Sequence, residues 1–178
     1  MRPVTVGLCQ FRPAKGRPGD NLDRIEAILG ELCSMTTPPD ILIFPEGILT
    51  GYFLEGGVRE HARRAAELYQ DLVERHARAG APEVDICLGF YELWDDRIHN
   101  SALWATLGGK TAGIRHIHRK VFLPTYGVFD EERFTESGRD VRAFNTRFGR
   151  AAVLVCEDAW HSLLPTIAAV DGAQLIAV

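Results

Sequence analysis

An α/β fold is predicted for this 178-residue chain. Short apolar runs alternate along it with stretches of helical periodicity. One run, "VDICLGFYEL", sets apolar residues side by side, which suggests a strand buried on both faces. Taken in order, "VTVGLCQF" (Val4 to Phe11) reads as a first strand. A helix follows from Asp20, which can cap it, with Leu22, Ile25, Ile28, Leu29, Leu32 and Cys33 on one face. "DILIFPEG" (Asp40 to Gly47) is a short buried strand stopped by Pro45. Val58, Ala62, Ala65, Ala66, Tyr69, Leu72, Val73 and His76 then repeat at helical spacing up to Gly80.

After the third strand, "NSALWATLGGKTAGIRHIHRK" reads as a hairpin turned at Gly108–Gly109. "VFLPTYGVFDEERFTESGRD" is a long loop, a place where functional residues often sit. The strand "AAVLV" runs into Cys156. A helix is expected from about Trp160 to Asp171, stopped at Gly172, before a last strand, "AQLIAV". No repeat or linker divides the chain, so residues 1–178 are read as one domain.

The chain is 46% hydrophobic and 25% charged, with a net charge of -4. That balance gives no broad attraction to nucleic acid or to an anionic membrane. No apolar run approaches the length of a bilayer span, and the N-terminus looks like a strand, not a signal peptide; a cytoplasmic protein is expected. Cysteines 9, 33, 87 and 156 are too irregularly spaced for a disulfide framework or a paired zinc site. Cys9, Cys33 and Cys87 read as small core residues. His116 and His118 share a face of their strand, but no third ligand stands at sensible spacing, so neither a metal nor a cofactor is expected.

Cys156 poses the chemical question. It ends a buried strand and is followed at once by Glu157 and Asp158, whose charges should raise a thiol pKa. A reactive Cys156 therefore needs a positive partner from elsewhere. The ends of three buried segments supply complementary groups: Glu46 after "ILIFP", Lys120 after "GIRHIHR", and Cys156 itself. A carboxylate can act as general base, and an ammonium can favour the thiolate and stabilise an oxyanion. The backbone N–H of Glu157, where strand turns to helix, is a second oxyanion donor.

These segments together resemble the nitrilase, or carbon–nitrogen hydrolase, superfamily. The likeness lies in "VGLCQFRPAKGRPGDNLDRI", "FPEGILTGYF", "GFYE" with "HNSALW", "HRKVFLPTYGVFDEERF" and "VLVCEDAW", five motifs in the family's order. It implies a four-layer αββα sandwich and a Glu-Lys-Cys triad of Glu46, Lys120 and Cys156. The thiol would attack a C–N carbon to form a thioester, releasing ammonia or an amine. An acid in the loop after the lysine often supports such a site; Glu131 is the best match and Glu132 its rival. In style, "CEDAW" and "LPTYGVFDEERF" look closest to the glutaminase domain of glutamine-dependent NAD synthetases. That likeness implies a glutamine pocket lined by Tyr52, Tyr126, Glu157 and Trp160.

The synthetase's ATP-using half and a Gly-rich phosphate loop are absent from this sequence. The resemblance therefore implies a free-standing amidase acting on a small-molecule amide, with a glutaminase-type ammonia donor or a non-catalytic amide-binding or assembly subunit as alternatives. Family members commonly assemble, so a homo-oligomer is expected. The family's domain is also longer than this chain: "GAQLIAV" is expected to be a central strand leading into further strands and helices.

Overall fold

The chain enters the fold through an edge strand and leaves it through a parallel one, in a computed structural model that describes residues 3–52, 57–127 and 129–178. The elements are β1 (Val6–Leu8), α1 (Pro18–Glu31), β2 (Ile41–Ile43), α2 (Val58–His61), α3 (Ala65–Ala79), β3 (Val84–Trp94), β4 (Arg97–Leu107), β5 (Gly113–Arg119), β6 (Phe144–Thr146), β7 (Gly149–Val153), α4 (Glu157–Trp160), α5 (Leu163–Val170) and β8 (Leu175–Ala177).

Strands β1 to β5 form one sheet in sequence order, parallel from β1 to β3 and antiparallel from β3 to β5. A second sheet has the order β6-β7-β8, with β7 and β8 parallel. Successive side chains of a strand point to opposite faces. On β3, Ile86 and Leu88 therefore share a core with Ile25 and Leu29 of α1 and with Leu68 and Leu72 of α3. Cys87 faces the other way and joins Ile41, Ala102 and Trp104 against Phe144, Ala151, Val153 and Ala177 of the second sheet. The helix α5, which buries Leu164 and Ala168, connects parallel β7 and β8. Such a crossover must cover a sheet face, and the inner face is already taken, so α5 lies outside. The layers run helix, sheet, sheet, helix, as the αββα expectation has them.

Three local readings change. Asp20 does not cap α1. The helix starts at Pro18, whose missing N–H costs nothing at the first position, and Asp20 sits in the first turn paired with Arg17 at 2.7 Å. The periodic stretch from Val58 is two helices, because Arg63 leaves helical geometry to pair with β3, donating to Tyr91 O at 3.0 Å and accepting from Leu93 N at 3.0 Å. The helix expected from about Trp160 starts later, as α5 at Leu163, and a separate short helix, α4, precedes it. A further hairpin joins β3 to β4 through Asp95 and Asp96, whose φ of 51° and 58° give the strands a turn of matching twist. Among the described residues no helix is long and apolar enough to cross a membrane.

Candidate active site

Glu46 is held by a backbone that tolerates little change. The β2–β3 ladder continues to Phe44, whose N–H donates to Cys87 O at 2.8 Å. Gly47 then turns the chain with φ +61°, and its carbonyl accepts from Thr50 and Gly51 N–H groups. Gly89 of β3 lies under this turn: a Cβ there would fall 2.7 Å from Glu46 Cα and 2.6 Å from Gly47 N. Both obstacles are backbone, so Gly89→Ala is expected to push Glu46 outward and to lower the melting temperature by several degrees, as overpacking by about 1–3 kcal/mol would. A thermal melt of the variant beside wild type checks this.

Lys120 directly follows β5, and its backbone is fixed on both sides: its N–H donates to Asn100 O at 2.8 Å and its carbonyl accepts from Gly138 N at 2.7 Å. The side chain is 0% exposed. Its ammonium donates to Glu46 Oε1 at 2.9 Å and to Glu131 Oε2 at 2.8 Å. Of the two acids offered by the loop, the structure brings in Glu131, buried at the start of a 3-10 turn, and leaves Glu132 exposed. Tyr52 donates to Glu131 Oε2 at 3.0 Å. Burial tends to lower the Lys120 pKa, but the charges and hydrogen bonds of Glu46 and Glu131 outweigh it and raise the value.

Asn100 completes this centre, and sequence reasoning missed it. Its Nδ2 donates to Glu46 Oε1 at 2.7 Å and also to Glu131 Oε1. Two carboxylates, buried Glu131 and partly buried Glu46, thus share two donors, one charged and one neutral. Asn100 sits inside "HNSALW", but only the register of β4 beside Lys120 shows what it touches.

Cys156 lies just past β7 on a turn with φ +49° and ψ −102°, an unusual conformation for a residue with a Cβ, and precedes the first residue of α4. Such geometry costs on the order of 1–3 kcal/mol and recurs at functional sites. The Glu46 carboxylate, the Lys120 ammonium and the Glu157 N–H all act on the thiol. The residue is exposed by surface area, yet the thiol's pKa is raised: partial desolvation by the surrounding chain is the largest cause, Glu46 adds to it, and Lys120 and the Glu157 N–H oppose it. This corrects two expectations. Glu157 and Asp158 do not drive the shift, and Lys120 does not bring the thiol below its ordinary value. One ammonium faces two carboxylates, so little of its charge is left over for the sulfur.

Both neighbouring acids are turned elsewhere. Glu157 accepts from Tyr126 OH at 2.7 Å and lies 3.3 Å from His161 Nε2. Asp158 is 0% exposed and bonds His118 and backbone N–H groups. His116 stacks on Phe144 instead. Of the expected pocket residues, Tyr52 joins the Lys120–Glu131 network, Tyr126 and Glu157 pair with each other beside Cys156, and Trp160 ends α4 with 83% of its surface exposed. A small cavity of about 40 Å³ opens beside the thiol between the sheets, lined by Glu46, Gly89, Ala102, Val155, Cys156 and Ala177.

The other cysteines differ from expectation in one case. Burial pushes Cys9 up to about 11 and Cys87 up to about 12. Cys33, however, is exposed, with its thiol donating to Ala79 O and Gly80 O.

A sandwich of two sheets with a cysteine, a lysine and a glutamate just past its strands, and a second glutamate brought in by a loop, defines a class of hydrolase-like α/β proteins. Residues 5–178 match the family model of carbon-nitrogen hydrolase, and the chain belongs to that family, the nitrilase superfamily. It is 30% identical over 181 residues to the glutamine-dependent NAD(+) synthetase of Thermotoga maritima, covering 99% of this chain and 30% of the relative. The solved glutamine-dependent NAD+ synthetase of Acinetobacter baumannii superposes with a TM-score of 0.79 at 25% identity, over 99% of this chain and 32% of the other. A carbon-nitrogen hydrolase from Helicobacter pylori superposes with a TM-score of 0.81 at 17% identity, over 97% of this chain and 58% of the other. The chain thus spans about a third of the synthetases and somewhat over half of the hydrolase.

Proposed function

We propose that this chain carries the reactive centre of a thiol amidase, which hydrolyses the C–N bond of a small carboxamide through a thioester on Cys156. The observation that carries the reading is the fully buried Lys120 ammonium, paired with Glu46 and Glu131, with the Glu46 charge also acting on the thiol. In this reading the resting thiol is protonated. Glu46 removes its proton as sulfur attacks the carbonyl carbon, so no free thiolate has to be maintained. The oxygen of the tetrahedral intermediate takes up negative charge, which Lys120 and the Glu157 N–H stabilise. When the intermediate collapses, the C–N bond breaks and the proton held by Glu46 passes to the leaving nitrogen. Glu46 then takes a proton from water, whose oxygen attacks the thioester. Sulfur leaves, recovers that proton, and the carboxylic acid is released. Glu131 keeps Lys120 in place, and the small cavity beside the thiol favours a small acyl group.

Glutamine is a second reading of the same chemistry. The Glu157 carboxylate, held by Tyr126 near Cys156, is suited to an α-ammonium group. The likeness to synthetases that use glutamine points the same way. An ammonia-release assay over a panel of carboxamides that includes glutamine, with mass spectrometry for an acyl adduct, tests both. Release with a Cys156 adduct is expected; no release and no adduct from any amide would leave only a non-catalytic, amide-binding role.

Thiol labelling gives an independent check. Limiting iodoacetamide should modify Cys156 in a Glu46-dependent way, whereas exposed Cys33 should react at a rate that Glu46→Gln leaves unchanged. Peptide mapping that found equal loss at both cysteines would count against a specific Glu46–Cys156 pair.

A further inference from the structure

The acid two residues after the cysteine has no part in the chemistry above, yet it is among the most fully bonded side chains in the fold. Asp158 Oδ1 accepts from Val121 N at 3.0 Å and Phe122 N at 2.9 Å. Its Oδ2 accepts from His118 Nε2 at 2.7 Å and from Val155 N at 3.2 Å. A carboxylate only accepts, so His118 carries its proton on Nε2. His118, Val121 and Phe122 flank Lys120 on both sides in sequence, and Val155 immediately precedes Cys156. We propose that Asp158 is a positioning residue whose buried carboxylate pins the segment bearing Lys120 to the turn bearing Cys156, with His118 as its partner. The proposal rests on the amidase reading for its purpose, but its geometry concerns only the thiol and the lysine.

The site has no slack for a substitute. Each oxygen already serves two donors, so an asparagine would turn its NH₂ either onto the Val121 and Phe122 N–H groups or onto that of Val155. Facing donors without an acceptor between them must move apart. The segments would separate by a fraction of an ångström, and at a reaction centre small displacements are costly. The charged groups that face the thiol are Glu46 after β2 and Lys120 after β5, with Glu131 beyond Lys120. Glu157 offers its N–H, while its carboxylate is engaged by Tyr126 and His161. Of these, Lys120 and the Glu157 N–H favour the thiolate, and both stand on the segments that Asp158 joins.

The test is the rate of Cys156 alkylation by iodoacetamide as a function of pH, read by peptide mapping on the full chain with Asp158→Asn, His118→Leu and His118→Gln. Glutamine can place an N–H close to where His118 Nε2 stands; leucine cannot. The first two variants should slow Cys156 alkylation at pH 8 about tenfold and move its profile to higher pH. His118→Gln should remain within about threefold of wild type, and Cys33 should be unaffected throughout. Wild-type profiles in both Asp158→Asn and His118→Leu would overturn the proposal. So would a His118→Gln profile as displaced as that of His118→Leu. Should Asp158→Asn fail to fold, the two His118 variants decide. Ammonia release by the wild-type protein reports on the amidase reading alone, so the two ideas fail separately.

Discussion

Glu46→Gln is expected to lower carboxamide turnover by about two to four orders of magnitude, the usual contribution of a general base, with little change in the melting temperature. The substitution is mild for a specific reason. Lys120 and Asn100 both donate to the same oxygen of Glu46, Oε1. A glutamine can present its amide oxygen to both donors and keep the buried centre intact. What changes is the other position, where NH₂ replaces Oε2, the oxygen to which neither Lys120 nor Asn100 donates. That group cannot take the thiol proton as sulfur attacks, nor a proton from water in the second half of the reaction. Acylation and hydrolysis of the thioester should both slow. Single-turnover mass spectrometry with the best amide found would show the variant mostly unacylated. Turnover within tenfold of wild type would remove Glu46 from the role of base, since no other described carboxylate is placed both on Lys120 and at the thiol.

The site was legible in the sequence to the extent that its groups sit at strand ends. Glu46 and Cys156 each follow an apolar run, Lys120 follows the strand "GIRHIHR", and the turn residues beside Glu46 mark where its strand stops. Asn100 was not legible, because it lies inside a strand and nothing in its spacing distinguishes it from a packed polar residue. Its part follows from the alignment of β4 with the start of the loop after β5. Asp158 was visible as an acid but misread, since adjacency in sequence suggested a charge acting on the thiol. The turn at Cys156 sends that carboxylate into the fold, toward His118. The same limit explains the split helix. Periodicity carried the pattern from Val58 through Ala65, but backbone pairing of Arg63 with β3 interrupts it, and no local signal announces a tertiary hydrogen bond.

Lys120→Met should have the largest combined effect, on stability as well as on activity. The ammonium is fully buried and neutralises part of a pair of carboxylates brought together around it. Methionine fills much of the same volume but carries no charge, so Glu46 and Glu131 would face each other with Asn100 as their shared donor. Removing one partner of a buried ion pair costs about 3–5 kcal/mol. For a chain of this size that corresponds to a fall of roughly 6–20 °C in melting temperature. The sign of the pH dependence discriminates this cause from simple loss of packing. In wild type the Lys120 pKa is raised in the folded state, so its stabilising contribution is fully present at neutral and lower pH and is lost only as pH rises through that raised value. In the variant that contribution is absent, so the deficit should hold constant around neutral pH and shrink as pH rises through the raised value, where a packing defect would persist unchanged. The thiol should respond as well: with a cation that favours its ionised form removed, Cys156 alkylation should shift to higher pH and turnover should collapse. Melting curves across that pH range, beside alkylation rates, make the comparison. A variant that melts with wild type at pH 7 and keeps its Cys156 reactivity would remove the lysine both from the chemistry and from the support of the fold.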